Sequence, residues 1–449
     1  PEILKSDYNV IEKYIEAEKA LKQYRFLLKK VFREKNHILG DNEEKLLAGM
    51  NEILTSSNEI YDVITNADIK YGDVVIDSDK IEITDSNFVR LLKHQDQDVR
   101  RKVFKKYYSA YNNLRNTFAS NLKYNIKSTS FISRIRRYDN PIHQSLHTDD
   151  IDVSVYDNLI DTVNLNLDKL HKYVKLRKQE LKVDKLHMYD IYANMVPEDK
   201  TTYSYEEACD IVKEALKPLG SKYAEILNKA IDEKWIDVYD NVGKRSGAYS
   251  WGTYDSKPYI LLNYDGTLND VSTLAHELGH SVNTYLTNQN QSYTYSGHSI
   301  FTADVASTVN ELLLYRYLLN NTNDKNKKKV ILNEIMEKFK GTLYRQTMFA
   351  EFEKIIFEKE DNNEVLTEKL ISDIYYDLNK KYYGGDIVHD KEIKLEWARV
   401  SHFYRPFYVY QYATGIAAAG MVAEEILSGN KDAVEKYLTF LASGNSDYP

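Results

Sequence analysis

Apolar residues recur at spacings of three and four along most of the chain, the pattern of helices that bury one face. Residues 42–64 and 330–339 show it without a break. From Glu2 to about Asp240 the pattern predicts helix after helix. It is interrupted at 69–79, at Tyr138-Asp-Asn-Pro-Ile142 and at 196–200, where turn-forming residues cluster. The pattern then changes: residues 247–255 and 258–264 alternate aromatic with small or polar positions and are bounded by Gly and by Asp265-Gly266, which predicts a hairpin or a pair of short strands. Asn269 or Asp270 can cap a helix over 271–286. A polar loop over 287–299 leads to a second helix over 302–319. After the Gly384-Gly385 loop, Pro406 suits the first turn of a last helix ending before Gly429. The fold class predicted is mostly α, with a small β-sheet beside one helix and no internal repeat.

At 449 residues the chain can bury a substantial core. Its single cysteine, Cys209, allows no intrachain disulfide and suits a reducing, cytoplasmic home, with the thiol as a small buried hydrophobe. Net charge is −8 with Lys and Arg interspersed, so no basic stripe marks a nucleic-acid or anionic-membrane partner. The apolar runs are short and broken by charge, and no leader opens the chain. A chain that opens at Pro1 without Met and closes at Asp447-Tyr448-Pro449 reads as a piece of a longer protein. The 38 tyrosines are many, and their large apolar bodies assign most of them to helix packing.

Chemistry concentrates at His276-Glu-Leu-Gly-His280. On a helix, His276 and His280 lie one turn apart on one face and can aim both imidazoles at one ion, while Glu277 sits about 100° round, beside it. Zinc takes neutral imidazole and lowers the pKa of bound water, and a neighbouring carboxylate can take that water's proton. The plain alternative, a solvated helix face, loses weight given the strand before the motif and the carboxylate-bearing helix after it. A metzincin would continue with Gly and His at 283 and 286; these are Asn283 and Leu286, which excludes that class. The third ligand is then a carboxylate from the second helix, where Asp304, Thr308 and Glu311 share a face and either carboxylate can reach the ion.

A string of motifs in this order resembles the oligoendopeptidase F branch of the thimet-oligopeptidase-like zinc peptidases. It comprises the stretch from Ser246-Gly-Ala-Tyr-Ser-Trp-Gly-Thr-Tyr254 to Tyr264, Leu274-Ala-His-Glu-Leu-Gly-His-Ser281, Ala303-Asp-Val-Ala-Ser-Thr-Val-Asn-Glu311, and His402-Phe-Tyr-Arg-Pro-Phe-Tyr-Val-Tyr-Gln-Tyr-Ala-Thr-Gly415. A weaker likeness runs through Lys185-Leu-His-Met-Tyr-Asp190. The resemblance implies a helical shell around a deep channel, one Zn2+ ion at its floor, and endopeptidase action on short peptides. It implies an N-terminal, lid-like helical region over 1–95 and a catalytic domain over 96–449, with helices missing at both chain ends. The matched position of the family's glutamate ligand is Asp304, one methylene shorter, and Glu311 becomes a hydrogen-bond partner of a ligand histidine. Gly247, Ala248, Tyr249, Gly252 and Tyr254 match the edge on which substrate adds as a strand. His402 and Tyr412, with Tyr408 one turn before Tyr412, match donors to the oxyanion, whereas Tyr404 and Tyr410 are core. His298 and His389 are expected to be loop or packing residues. A carboxypeptidase or dipeptidyl carboxypeptidase on this scaffold, holding the substrate carboxylate on Arg405, is the enzymatic alternative, and an inactive peptide-binding relative the other. Oligomeric state is not legible.

Overall fold

A computed structural model describes residues 2–196 and 201–449. The turn expected at 196–200 lies outside the described residues apart from Val196. The protein is mostly helical with only small sheets. It forms two compact units, one of Pro1–Lys35, Glu198–Ile335 and Gln411–Pro449, the other of Asn36–Pro197 and Met336–Tyr410. Among the described residues no helix is long and apolar enough to cross a membrane.

In the first unit the helix Leu268–Asn290 carries the histidine motif and the helix Ile300–Asn320 the carboxylates. Val271, Leu274, Ala275, Leu278 and Val282 on one pack against Val305, Ala306, Val309 and Leu313 on the other, all buried in one core. Each large side chain so buried contributes about 1.5–3 kcal/mol. Gly279 lets the two backbones touch: a Cβ there would lie 2.6 Å from Ser307 Cα and 2.7 Å from the Ala306 carbonyl. The helix Lys431–Ser443 is tied to the motif helix by Asn283 Nδ2 and Thr287 Oγ1, which both donate to the Leu441 carbonyl at 2.9 and 3.0 Å. The sheet of this unit is β3 (Ile236–Asp237), β5 (Tyr259–Leu261) and β4 (Tyr249–Trp251), in that order, with β4 antiparallel to β5.

The second unit contains the helices Asp41–Val63, Arg115–Ile135 and Pro141–His147. Tyrosines fill its core as expected. Tyr107 stacks on Tyr71 at 4.6 Å and on Phe88 at 3.7 Å.

Four local expectations are corrected. The stretch 69–79, read as a turn, contains β1 (Asp73–Ile76), which pairs with β2 (Asp79–Glu82) through a two-residue turn at Asp77 and Ser78, both at positive φ. The usual Asn-Gly or Asp-Gly signal of that turn is missing here. The motif helix is capped by Thr267, not Asn269 or Asp270: Thr267 Oγ1 accepts from the Asp270 N–H at 3.2 Å, and Asp270 accepts from the Thr267 N–H at 2.9 Å. The helix also runs to Asn290, and a 3-10 turn, Tyr293–Tyr295, interrupts the expected loop. Finally, Pro406 does not begin the last helix. Phe407 has φ 56°, a left-handed conformation that cannot continue a right-handed helix, and its N–H donates to the Glu353 carboxyl at 3.1 Å. The helix begins at Tyr410 and ends at Leu427, so Tyr408 precedes it and is not one helical turn from Tyr412.

Candidate metal and catalytic site

The site residues of the first unit converge because two helices cross at a glycine. Helical spacing puts His276 and His280 on the same face, and their Nε2 atoms lie 3.2 Å apart. The close crossing at Gly279 brings Asp304 within reach, its Oδ1 3.9 Å from His280 Nε2. One ligand atom from each of His276, His280 and Asp304 lies within 4.8 Å of the others, as holding a single ion requires. Glu311 instead meets His276 Nδ1. That contact fixes the Nδ1–H tautomer and directs the Nε2 lone pair toward the shared point. Ser272 Oγ supports Glu311 at 3.4 Å and Tyr315 holds Ser272 at 2.9 Å.

Burial, reinforced by the nearby His276 and His298 imidazoles, pushes the His280 pKa down to about 3, so the ring is neutral and able to ligate. Glu277 is 6% exposed and its pKa is raised, chiefly by burial, against an opposing pull from His276. The Ser250 main chain of β4 bonds this carboxylate, while among the described residues Glu277 Oε2 has no hydrogen-bond partner. A buried carboxylate with a raised pKa and a spare oxygen is equipped to accept a proton. Two imidazoles and a carboxylate also form a donor set suited to a divalent ion with open positions.

A cavity of about 740 Å³ opens beside these groups, walled by Ala248, Tyr249, Gly252 and Tyr254 together with His276 and Glu277. Gly247 lies outside it and lines a smaller pocket of about 220 Å³. The Tyr254 hydroxyl is engaged structurally, donating to the Gln291 carbonyl at 2.9 Å. Strand β4 is the sheet's edge, with Tyr249 and Trp251 exposed. Tyr412 stands three residues, nearly one turn, before Gly415, whose absent Cβ would lie 3.8 Å from Asp304 Cβ, so this helix passes the carboxylate closely.

His402 and Tyr408 belong to the second unit, where their rings stack at 5.5 Å and 2°. Tyr404 and Tyr410 are buried. One residue was undervalued by the sequence. His298, expected to pack in a loop, lines the 740 Å³ cavity and meets Thr284 Oγ1 at 3.4 Å. Its place in the connection between the two ligand-bearing helices was the available signal.

Known proteins are similar to this chain along its whole length. Oligopeptidase PepF of Bacillus subtilis is 44% identical over 450 residues, covering 100% of this chain and 67% of that protein. The group B oligopeptidase PepB of Streptococcus agalactiae is 41% identical, with 100% and 75% covered. The crystal structure of oligoendopeptidase-F from Enterococcus faecium matches with a TM-score of 0.83 at 37% identity, covering 100% of this chain and 75% of that one. A family model described as Oligopeptidase F matches residues 2–71, and one described as Peptidase family M3 matches residues 90–449. On both grounds the chain belongs to peptidase family M3, in its oligoendopeptidase F branch.

Proposed function

We propose that the protein is a zinc-dependent endopeptidase of short peptides, with His276, His280 and Asp304 as metal ligands and Glu277 as general base. The observation that carries this reading is the convergence of three ligand atoms within 4.8 Å beside a buried carboxylate that keeps one oxygen unpartnered among the described residues. When bound, zinc supplies Lewis-acid polarisation and acidifies a water at neutral pH. Glu277 accepts that water's proton as it attacks the scissile carbonyl and hands it to the leaving amine. Its raised pKa matches it to both halves of this task. The Ser250 contact holds the carboxylate's orientation, and Glu311 holds that of His276.

Substrate adds through its main chain to the exposed edge of β4, across Ala248, Tyr249 and Gly252, with Gly247 and Tyr254 shaping the strand ends. Such pairing is indifferent to side chains and requires an unpaired backbone, which favours short peptides over folded domains. The oxyanion that develops on the carbonyl is stabilised by donors from His402, Tyr408 and Tyr412, each worth about 3 kcal/mol where aligned. A cytoplasmic site of action fits the lone buried Cys209.

The test is zinc stoichiometry by elemental analysis alongside cleavage of an internally quenched peptide, with a folded protein as control. The expected result is one zinc per chain, cleavage abolished by chelation and restored by zinc, and an intact folded control. Cleavage that persists in the metal-free protein would overturn the mechanism.

A further inference from the structure

The 740 Å³ cavity beside the metal site is lined wholly by residues of the first unit, and the mechanism above uses only its near end. Helical spacing explains how it continues. His276, His280, Thr284 and Asn288 follow one another every fourth residue along Leu268–Asn290 and form one ridge of that helix. The ridge that carries both imidazoles therefore runs on into two uncharged polar side chains, which also line the cavity. At 1.5 Å per residue Thr284 stands about 6 Å past His280, within reach of one large side chain beside the scissile bond.

Two groups of side chains give this extension its chemistry. Tyr254 and Tyr293 meet edge to face at 5.6 Å. The Tyr254 hydroxyl is tied to the Gln291 carbonyl at 2.9 Å, and Asn288 Nδ2 holds the Thr253 carbonyl at 3.0 Å, so this aromatic wall is anchored to the end of the motif helix before any ligand arrives. His298 meets Thr284 Oγ1 through Nε2 at 3.4 Å. Burial lowers the His298 pKa, which keeps the ring uncharged near neutral pH. The charges are as informative. Among the described residues that line the cavity there is no lysine or arginine, and Glu277 is the sole carboxylate. An anionic side chain entering here loses water and meets no basic group, and a cationic one meets only the base itself. An aromatic ring instead leaves water and packs on rings already fixed in place.

We propose that this extension is a specificity pocket for one uncharged aromatic side chain of the peptide substrate, lined by Thr284, His298 and the Tyr254 and Tyr293 rings. The inference rests on the peptidase reading above and deepens it. Main-chain pairing along β4 is indifferent to side chains, so by itself it does not select which bond of a peptide lies at the metal. A ring lodged in the pocket sets that register.

The test uses short peptides of Ala, Ser and Gln that each carry a single Phe. Cut bonds are read by mass spectrometry, and binding of fluorescein-labelled copies to Glu277→Gln is read by anisotropy. Moving the Phe by one position should move the preferred cut by one position. Replacing it by Ala should lower kcat/KM about tenfold, and replacing it by Glu or Lys should lower it further. His298→Asp and, on the loop, Ser296→Asp each put a carboxylate into the pocket. Each should bring kcat/KM for the Lys peptide to or above that for the Phe peptide, a reversal that loss of a merely structural residue would not produce. Two variants guard against a misfolded one, and circular dichroism checks both. Cuts that stay in place when the Phe moves, or Lys and Glu peptides cleaved as fast as the Phe peptide, would overturn the pocket. Folded Asp variants that slow every peptide by the same factor would also overturn it. If unmutated protein cleaves no peptide but Glu277→Gln still binds the Phe copy about tenfold tighter than the Ala, Lys and Glu copies, the peptidase reading falls and the pocket stands. If unmutated protein cleaves all the peptides without regard to the Phe, the pocket falls and the peptidase reading stands.

Discussion

The two units arrange their ionisable groups differently. In the second, two buried charge pairs are closed off by their partners, while the buried Glu353 accepts from the Phe407 N–H and keeps its other oxygen without a partner among the described residues. Arg100 and Asp190, 2% and 0% exposed, pair at 2.9 Å through Arg100 Nε, and Arg100 Nη1 donates to the His94 and Gln95 carbonyls. Arg345 meets one Glu396 oxygen at 2.8 Å while Tyr375 donates to the other at 2.6 Å. In the first unit His276, His280, Asp304 and Glu277 bring lone pairs toward one place, and the Glu277 carboxylate keeps an oxygen without a partner among the described residues. A satisfied network holds a fold together, whereas a convergent surplus of acceptors costs stability until something positive or protic completes it. A spare oxygen alone does not mark the site, because Glu353 of the second unit has one too; the convergence of several ligand atoms does.

The largest break in this contrast is Glu277→Gln. Turnover on a peptide should fall by about 10²–10⁴-fold, since an amide cannot take the water's proton. Metal content should hold. Because burial raises the folded-state pKa of Glu277, the stability this group contributes is present at low pH and lost as pH rises through that pKa. Glu277→Gln should therefore match or exceed the parent's melting temperature near neutrality. Unchanged turnover, or a sharp loss of stability, would place Glu277 among the structural carboxylates.

Arg100→Ala is the converse. It strands Asp190 in the core, a change that costs about 3–5 kcal/mol. The denaturation midpoint should drop steeply while chelator titration of the remaining folded protein shows parent-like metal affinity. A metal defect of the same size would mean that the two classes of buried charge are not separable.

Within the site, Asp304 and Glu311 sharpen the contrast further. Asp304→Ala removes a proposed ligand and should weaken metal binding by more than about 100-fold. Glu311→Ala removes only the partner of His276 Nδ1 and should cost about 10–100-fold. Chelator competition ranks the two, and the reverse order would move the ligand role to Glu311.

Much of the site was legible because it is local. His276, Glu277 and His280 lie within five residues, and a helix turns that spacing into a shared face without any tertiary information. Asp304 and Glu311 were legible as a pair on one helix face; their different partners were not, since these depend on how two helices cross. The misread elements share a feature. Asp77, Ser78 and Phe407 adopt positive φ without glycine, so the hairpin at 73–82 and the break before Tyr410 carried no local mark. Phe407 holds its turn through contacts far along the chain, with Glu353 at its N–H and Phe357 at 4.7 Å from its ring. His298 was missed for the same reason, since it enters the cavity only because helices on either side of its loop are brought together. The paired charges of the second unit, Arg100 with Asp190 and Arg345 with Glu396, had no sequence signature at all.

The smallest substitution tests the frame on which the convergent site is built, the helix crossing itself. Gly279→Ala adds one methyl where a Cβ would sit 2.6 Å from Ser307 Cα and 2.7 Å from the Ala306 carbonyl, both backbone atoms that cannot swing aside. Two effects oppose each other. Alanine favours a helix interior over glycine by about 1 kcal/mol, so were the helix isolated, the change would stabilise it. Overpacking a tight contact costs about 1–3 kcal/mol, because the helices must part or bend. Sterics should win, and melting should move down. The parting also pulls apart ligands on opposite sides of the contact: His280 follows Gly279 directly, and Asp304 lies three residues before Ser307. Metal affinity should therefore fall about tenfold, about 1.4 kcal/mol, although no ligand is altered. Thermal denaturation of the metal-free and metal-loaded protein separates the two terms, since a purely local packing defect lowers both midpoints equally. A higher melting temperature with unchanged metal affinity would show that the crossing is looser than its backbone contact implies, and that Asp304 reaches its place by another route.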